Sequence, residues 1–201
     1  KTDHYLVDLL EEAATMLGAT DSALRARVLA HLAAELWYTG TPERRAALSQ
    51  DAVAMARRVG DQRALTFALS SRHLALWGPA NVEERLAVAG EVVRLATAIG
   101  DVERVLQGRV WQVVDFLEIG DIQAVDVGIA LCERLAAELR QPGYVWWVEV
   151  FRAMRALMDG RFADAEPLIQ RAFATGQHAQ NENATQVFAT QMFVLRREQG
   201  R

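Results

Sequence analysis

The sequence of 201 residues holds one cysteine, four prolines and a single lysine, and it lacks long apolar runs. One cysteine excludes a disulfide framework and a zinc finger built on cysteines. No apolar run approaches the roughly 18 residues that a membrane-spanning helix needs. With 22 basic against 26 acidic residues, the formal net charge is −4, so there is no strong basic field of the kind that marks a nucleic-acid surface.

Glycines recur at regular intervals along the chain, and three of them are followed directly by aspartate. Glycine adopts the left-handed conformation that closes a helix, and aspartate caps the start of the next helix. Inside a helix, each such glycine would cost about 1 kcal/mol relative to alanine. Helix ends are therefore predicted at six positions, all multiples of 20: Gly40, Gly60, Gly100, Gly120, Gly160 and Gly200.

The segments between these glycines carry apolar residues at spacings of three and four, as in Ile122, Val125 and Ile129. This periodicity indicates amphipathic helices, and strand-type alternation is absent. Ten helices are predicted: 3–17, the pairs 21–40 with 41–60, 61–79 with 81–100, 101–120 with 121–140 and 141–160 with 161–180, and a last helix at about 182–199. We call the first helix of each pair, and the last helix, an A helix. The others are B helices.

Residues that lie 40 positions apart have similar character, which supports a repeating unit of two helices. Trp37 and Trp77 form one such series. Two series of small residues recur on the B helices: Ala52, Val92, Cys132 and Ala172, and Ala56, Ala96, Ala136 and Gly176. Short linkers make consecutive helices antiparallel neighbours. The predicted fold is therefore all-α, a right-handed α-solenoid of helix hairpins in a single domain over residues 1–201.

The fourth repeat resembles the tetratricopeptide repeat. Gly160 at the turn is followed by Phe162, and then by the small, large and small residues Ala165, Ile169 and Ala172. The period of 40 exceeds the 34 residues typical of that repeat. The longer form is similar to the helical-repeat regions of large bacterial ATPase regulators of transcription, of the LuxR/MalT-like and antibiotic-regulatory types, and to the repeats of cyclase–ATPase fusion proteins. Segments 43–49, 54–61, 72–79 and 195–201 carry this resemblance.

The resemblance implies a fragment of a larger cytoplasmic signalling protein of a bacterium. Neither a nucleotide-binding loop of the form GxxxxGK[ST] nor a DNA-reading helix-turn-helix is found in the chain, so those parts are expected outside it. The expected partner is a protein, a peptide or another domain of the parent chain, with a small effector as a further candidate. Direct contact with nucleic acid or membrane is not expected.

No arrangement of residues is typical of catalysis, so we expect a protein that is not an enzyme and that uses no cofactor or metal. The four histidines lack the spacing of a metal site and are expected on the surface or in a groove. Cys132 is expected to be a small buried hydrophobe. Gly108 and Gly128, inside predicted helices, leave space for a repacked core, which we favour, or for a ligand pocket lined by Trp111, Trp146 and Trp147.

In tetratricopeptide arrays the A helices line the concave face, so the resemblance implies a binding groove on these helices. About half of the residues at the inward positions are expected to pack in the core instead. The candidate groove residues are Arg27, His31, Tyr38, Phe67, Ser71, Gln107, Trp111, Glu118, Trp147, Phe151, Met154 and Gln191. The first hypothesis is a protein-interaction or effector-sensing scaffold. The alternative is a structural spacer or a self-association module, which forms a homodimer through its end helices.

Overall fold

The computed structural model describes residues 4–37 and 40–201, and within them the chain is all-helical, without a strand. This confirms the predicted all-α helical-repeat fold. A 3₁₀-helix at Pro79–Asn81 precedes the fifth helix. The ten α-helices of these residues are α1 (His4–Met16), α2 (Ala23–Glu35), α3 (Pro42–Val59), α4 (Gln62–Ala75), α5 (Val82–Ala98), α6 (Val102–Ile119), α7 (Ile122–Leu139), α8 (Pro142–Met158), α9 (Phe162–His178) and α10 (Ala184–Glu198).

Helix packing divides the chain into two compact units, Lys1–Ile122 and Gln123–Arg201. In the first unit, α2 packs both on α3 and directly on α4, and α5 packs between α4 and α6. In the second unit, α9 packs on α8 and α10, and α8 and α10 also touch. Both units therefore show A helices in direct contact with the next A helix, as expected for stacked hairpins. Among the described residues, no helix is both long and apolar enough to cross a membrane.

Glycine–aspartate pairs mark three of the helix ends as predicted, because Gly60, Gly100 and Gly120 each have a positive φ within two residues of the end of a helix. Gly60 closes α3 with a φ of 78°, and the side chain of Asp61 then accepts a hydrogen bond of 2.8 Å from the backbone N–H of Ala64. Gly40 differs, because its backbone is not in the left-handed region. It lies in a longer connection between α2 and α3 and does not close a helix.

The A helices α2 and α4 end at residues 35 and 75, before the predicted ends at 40 and 79. A proline follows each end, at Pro42 and Pro79. Proline disfavours helical backbone only in the residue directly before it, so the two prolines mark the start of the next helical segment and do not themselves set these earlier ends. Trp37 and Trp77 consequently lie in the connections, where their rings reach the start of the next helix.

Small residues on the B helices are buried, as predicted, and they let neighbouring helices approach closely. A Cβ atom built on Gly176 of α9 would lie 2.6 Å from the indole Nε1 of Trp146. One built on Gly108 of α6 would lie 2.8 Å from Cγ2 of Val93 on α5. The space at Gly108 is therefore filled by α5, as in a repacked core. Both series of small residues are buried, Cys132 included: Ala52, Val92, Cys132 and Ala172, and Ala56, Ala96, Ala136 and Gly176.

Candidate binding surface on the A helices

Phe67, on α4, is the centre of a cluster formed by three A helices of the first unit. The Cζ atoms of Arg27 on α2 and Arg104 on α6 lie 5.7 and 5.2 Å from the centroid of its ring. The imidazole of His31 meets the same ring edge-on, at 6.2 Å. Arg104 also donates a hydrogen bond of 2.7 Å to the side-chain oxygen of Gln107. The attraction between cations and an aromatic face holds such a cluster together.

The repeat explains why these residues meet. Arg27, Phe67 and Gln107 occupy the same position in successive repeats, 40 residues apart, so stacking of the A helices brings them side by side. Four of the predicted groove residues are thus found together, with His31 as the fourth. Arg104 was not predicted, although it lies only one helical turn before Gln107.

A cleft of about 480 Å³ opens beside Phe67, between the first turns of α4 and α6 and the neighbouring part of α2. Arg27, Arg63 and Arg104 line it together with Asp61 and Asp101. Each aspartate caps its helix, since Asp61 and Asp101 accept hydrogen bonds of 2.8 and 3.1 Å from backbone N–H groups. Both carboxylates are therefore engaged by the backbone through one oxygen.

No ion pair joins these three arginines to a carboxylate within residues 4–37 and 40–201. A second cleft of the same unit, of about 400 Å³, shows the opposite arrangement. Its arginines are neutralised, because Arg57 lies 2.7 Å from Glu91 and Arg72 lies 2.8 Å from Glu84. Of these two clefts, the one beside Phe67 is therefore the cleft whose guanidinium groups form no ion pair with a carboxylate.

In the second unit, the A helices α8 and α10 and the start of α9 enclose a more apolar pocket of about 520 Å³. Met154, Met158, Phe162 and Val194 line it, with Gln191 at its wall. The side-chain N–H of Gln191 donates a hydrogen bond of 3.0 Å to the backbone carbonyl of Val150. Two predicted groove residues, Met154 and Gln191, are thus found together here.

The remaining predicted groove residues lie in other surroundings. Ser71 and Phe151 are buried, with 7% and 3% of their surface exposed, as expected for the fraction of these residues that packs in the core. Trp147 is half-buried and contacts Trp146 edge-on at 4.8 Å. Tyr38 lies outside the described residues.

The last two predicted residues, Trp111 and Glu118, belong to a buried charged cluster that sequence reasoning missed. The Nε2 atom of His73 on α4 lies 2.8 Å from Oδ2 of Asp115 on α6, and both side chains are fully buried. The ring of Trp111 stacks on the imidazole at 4.5 Å. Arg85 on α5 pairs with Glu118. The expectation that His73 lies on the surface or in a groove is therefore wrong, because Asp115 gives it a buried partner.

The polar atoms of this cluster are only partly satisfied. Arg85 lies 3.4 Å from Asp115, yet the contact lacks hydrogen-bond geometry. Nδ1 of His73 and Nε of Arg85 have no hydrogen-bond partner either. Each such buried group costs about 1 to 3 kcal/mol. The ring of Trp77 lies 4.9 Å from the guanidinium of Arg85 and offsets part of this cost.

The pairing of tryptophan with arginine recurs one repeat earlier. The guanidinium of Arg45 lies 4.7 Å from the ring of Trp37 and donates a hydrogen bond of 2.8 Å to its backbone carbonyl. In both repeats the arginine follows the tryptophan by eight residues, and both arginines are buried. The paired 40-residue spacing of Trp37 with Trp77 and of Arg45 with Arg85 is the sequence signal that could have identified this cluster.

Within the described residues, no group of three or more His, Cys, Asp or Glu side chains is placed to hold a metal ion. Comparison with known proteins identifies no family for the chain: no model of a known protein family matches it, and no curated protein matches it either. The two pockets on the A helices are therefore interpreted from their own chemistry.

Proposed function

We propose that this chain is a non-catalytic interaction and effector-sensing scaffold, and that it binds through the clefts on its A helices. The observation that carries the proposal is the cluster around Phe67. Arg27 and His31 contact the ring of Phe67, and Gln107 accepts a hydrogen bond from Arg104, which contacts the same ring. Arg27 and Phe67 also line an open cleft. Ligand sites are typically clefts of this size with a few convergent polar groups.

The parent we propose is a bacterial ATP-dependent regulator of transcription, in which this chain is the regulatory repeat domain in the cytoplasm. The resemblance in segments 43–49, 54–61, 72–79 and 195–201 supports this choice. In such a protein, a partner that binds one state of the repeats more tightly than the other shifts the ATPase between resting and active states.

The test is to identify what the chain binds and then to map the binding site. A partner captured on the immobilised chain and then purified is titrated against Phe67→Ser and Met154→Ser, one variant for each cleft. Truncation of a central interface residue typically weakens binding by more than about 1 kcal/mol, or roughly fivefold. Arg57→Gln, in the neutralised cleft, is the control. Equal affinity of all variants for the partner would rule out the A-helix clefts as the binding surface.

A second function, self-association, is favoured by apolar side chains on the end helices. On α1, Tyr5 and Met16 are 73% and 80% exposed, and on α10 Phe193 is 66% exposed. Exposed apolar residues of this size mark interaction sites when they form a patch. Sedimentation velocity of the chain, with Leu9→Glu and Phe193→Glu as variants, tests this alternative. A monomer at all concentrations would exclude it, and a dimer that either variant dissociates would establish it.

A further inference from the structure

We propose that the cleft beside Phe67 binds a small phosphate monoester that also carries hydroxyl groups, such as a sugar phosphate. This inference rests on the proposed function, because it names the class of ligand for the same cleft. It begins from the three arginines, Arg27, Arg63 and Arg104, which line the cleft and pair with no carboxylate in the described part of the chain.

The three guanidinium groups come from three different helices, which suits a ligand with three acceptor oxygens. A phosphate monoester presents three such oxygens, whereas a carboxylate presents two. Arginine binds phosphate in a planar, bidentate manner, and it loses little freedom when its guanidinium is already held in place. Two of the three are held: Arg27 and Arg104 both contact the Phe67 ring, and Arg104 is also bonded to Gln107.

The two aspartates of the cleft account for the hydroxyl groups. Asp61 and Asp101 each use one oxygen, Oδ1, to cap a helix, which leaves the other oxygen as an acceptor. A ligand that carried only negative charge would be repelled by these carboxylates. A run of acidic residues in a peptide therefore suits the cleft poorly, whereas the hydroxyl groups of a sugar donate to carboxylates. The volume of about 480 Å³ lies within the range of small-molecule sites.

Three other arginines of the same unit do not offer this chemistry. Arg57, Arg58 and Arg72 are paired with Glu91, Asp21 and Glu84. A phosphate would have to displace an existing ion pair to bind at any of these three. In the cleft beside Phe67 no such displacement is needed, so the structure favours this cleft over the one lined by Arg57 and Arg72.

The experiment is isothermal titration calorimetry of the whole chain with glucose 6-phosphate. Two matched ligands serve for comparison: glucose, which is uncharged, and glucuronate, which carries a carboxylate in place of the phosphate. We expect glucose 6-phosphate to bind with one-to-one stoichiometry, and glucose and glucuronate to bind at least about tenfold more weakly, since a charge-assisted hydrogen bond contributes about that much. Inorganic phosphate and adenosine 5′-monophosphate serve as probes that keep the phosphate and change the organic part.

Three variants locate the site. Arg27→Gln and Arg104→Gln are each expected to weaken binding of the phosphate by about tenfold or more. Arg57→Gln, which removes an exposed and already paired arginine, should leave the affinity unchanged. Thermal melts followed by circular dichroism confirm that the variants fold. Equal weakening by all three variants would overturn the proposal, because it would show a general charge effect.

Two further outcomes would also overturn the inference. One is the absence of binding by all the phosphate probes. The other is tighter binding of an oligoglutamate peptide than of glucose 6-phosphate. The proposed scaffold function survives both outcomes if the captured partner still requires Phe67, so failure of the inference and failure of the function are told apart.

Discussion

The Nε2 atom of His73 lies 2.8 Å from Oδ2 of Asp115, 42 residues further along the chain, and neither side chain has exposed surface. Taking two such groups out of water costs free energy, which their contact and the surrounding rings must offset. Arg85 makes a second charged contact with the same carboxylate. Asp115 therefore holds together side chains from three helices, α4, α5 and α6.

Removal of this carboxylate is expected to destabilise the first unit strongly. Asp115→Ala leaves His73 buried without its partner and leaves Arg85 with Glu118 alone, and loss of one member of a buried pair costs about 3 to 5 kcal/mol. Urea unfolding followed by circular dichroism measures the loss. Asp21→Ala, which removes an exposed ion pair with Arg58, is the control and should cost much less. Equal losses for the two variants would contradict the structural role of Asp115.

The contact between Trp37 and Arg45 predicts non-additive substitutions. Repeat three carries Leu117 and Val125 at the same two positions, so Trp37→Leu with Arg45→Val reproduces a natural apolar pair. Each single change leaves one partner without the other, and the double change should cost less than the two single costs added. The expected coupling is about 0.5 to 2 kcal/mol, measured from the free energies of unfolding in a double-mutant cycle. Strict additivity would show that the stacking contributes nothing.

Two glycines are expected to resist replacement by alanine. Gly108→Ala places a methyl group 2.8 Å from Val93, and Gly176→Ala places one 2.6 Å from Trp146. Such overpacking costs about 1 to 3 kcal/mol. At Gly90 the nearest atom would be 3.8 Å away, on Gln112, so Gly90→Ala should raise the free energy of unfolding by about 0.5 to 1 kcal/mol. A destabilised Gly90→Ala, or a stabilised Gly108→Ala, would contradict the close helix packing.

Stability at acid pH is expected to depend on Asp159, in the turn between α8 and α9. Hydrogen bonds from Arg161 hold the pKa of this carboxyl below its ordinary value, and Arg155 lowers it further. Because the folded pKa is the lower one, the stabilisation is complete above the unfolded value of 3.8 and is lost as pH falls through the folded value.

The difference in urea midpoint between the native chain and Asp159→Asn should therefore shrink as pH falls below about 4. Midpoints measured across this range check it. A difference that grows toward lower pH would contradict the assigned direction of the pKa.

The repeat and most helix ends could be predicted because they depend on local chemistry. Gly60 closes one helix and Asp61 caps the next, and both effects are independent of the tertiary structure. Ala52 and Ala56 are small because a neighbouring helix packs closely against them. The ends of α2 and α4 were placed too late, because the spacing of the glycines put them at residues 40 and 79, whereas the helices end at Glu35 and Ala75.

The buried charged cluster could not be predicted from one residue position at a time. His73 occupies a position that holds Ala33, Val113 and Ala153 in the other repeats, and its partner Asp115 comes from a different A helix. Charged residues are rarely buried unless they are paired, and the pairing appears only when three helices are packed.

Part of the candidate site could be predicted from the 40-residue period of the repeat. Arg27, Phe67 and Gln107 share one repeat position, so their proximity followed from the period. Arg63 and Arg104 lie in the first turns of α4 and α6, where a charged residue is usually solvated. Their convergence on one cleft depends on the packing of the helices, which the sequence pattern does not specify.

The unpaired arginines beside Phe67 are proposed to form the binding site. Nuclear magnetic resonance of the arginine Nε–H groups during titration with glucose 6-phosphate is the decisive measurement. We expect the signals of Arg27, Arg63 and Arg104 to shift and those of Arg57 and Arg72 to stay unchanged. Shifts confined to the paired arginines, or no shift at any arginine, would contradict the proposal.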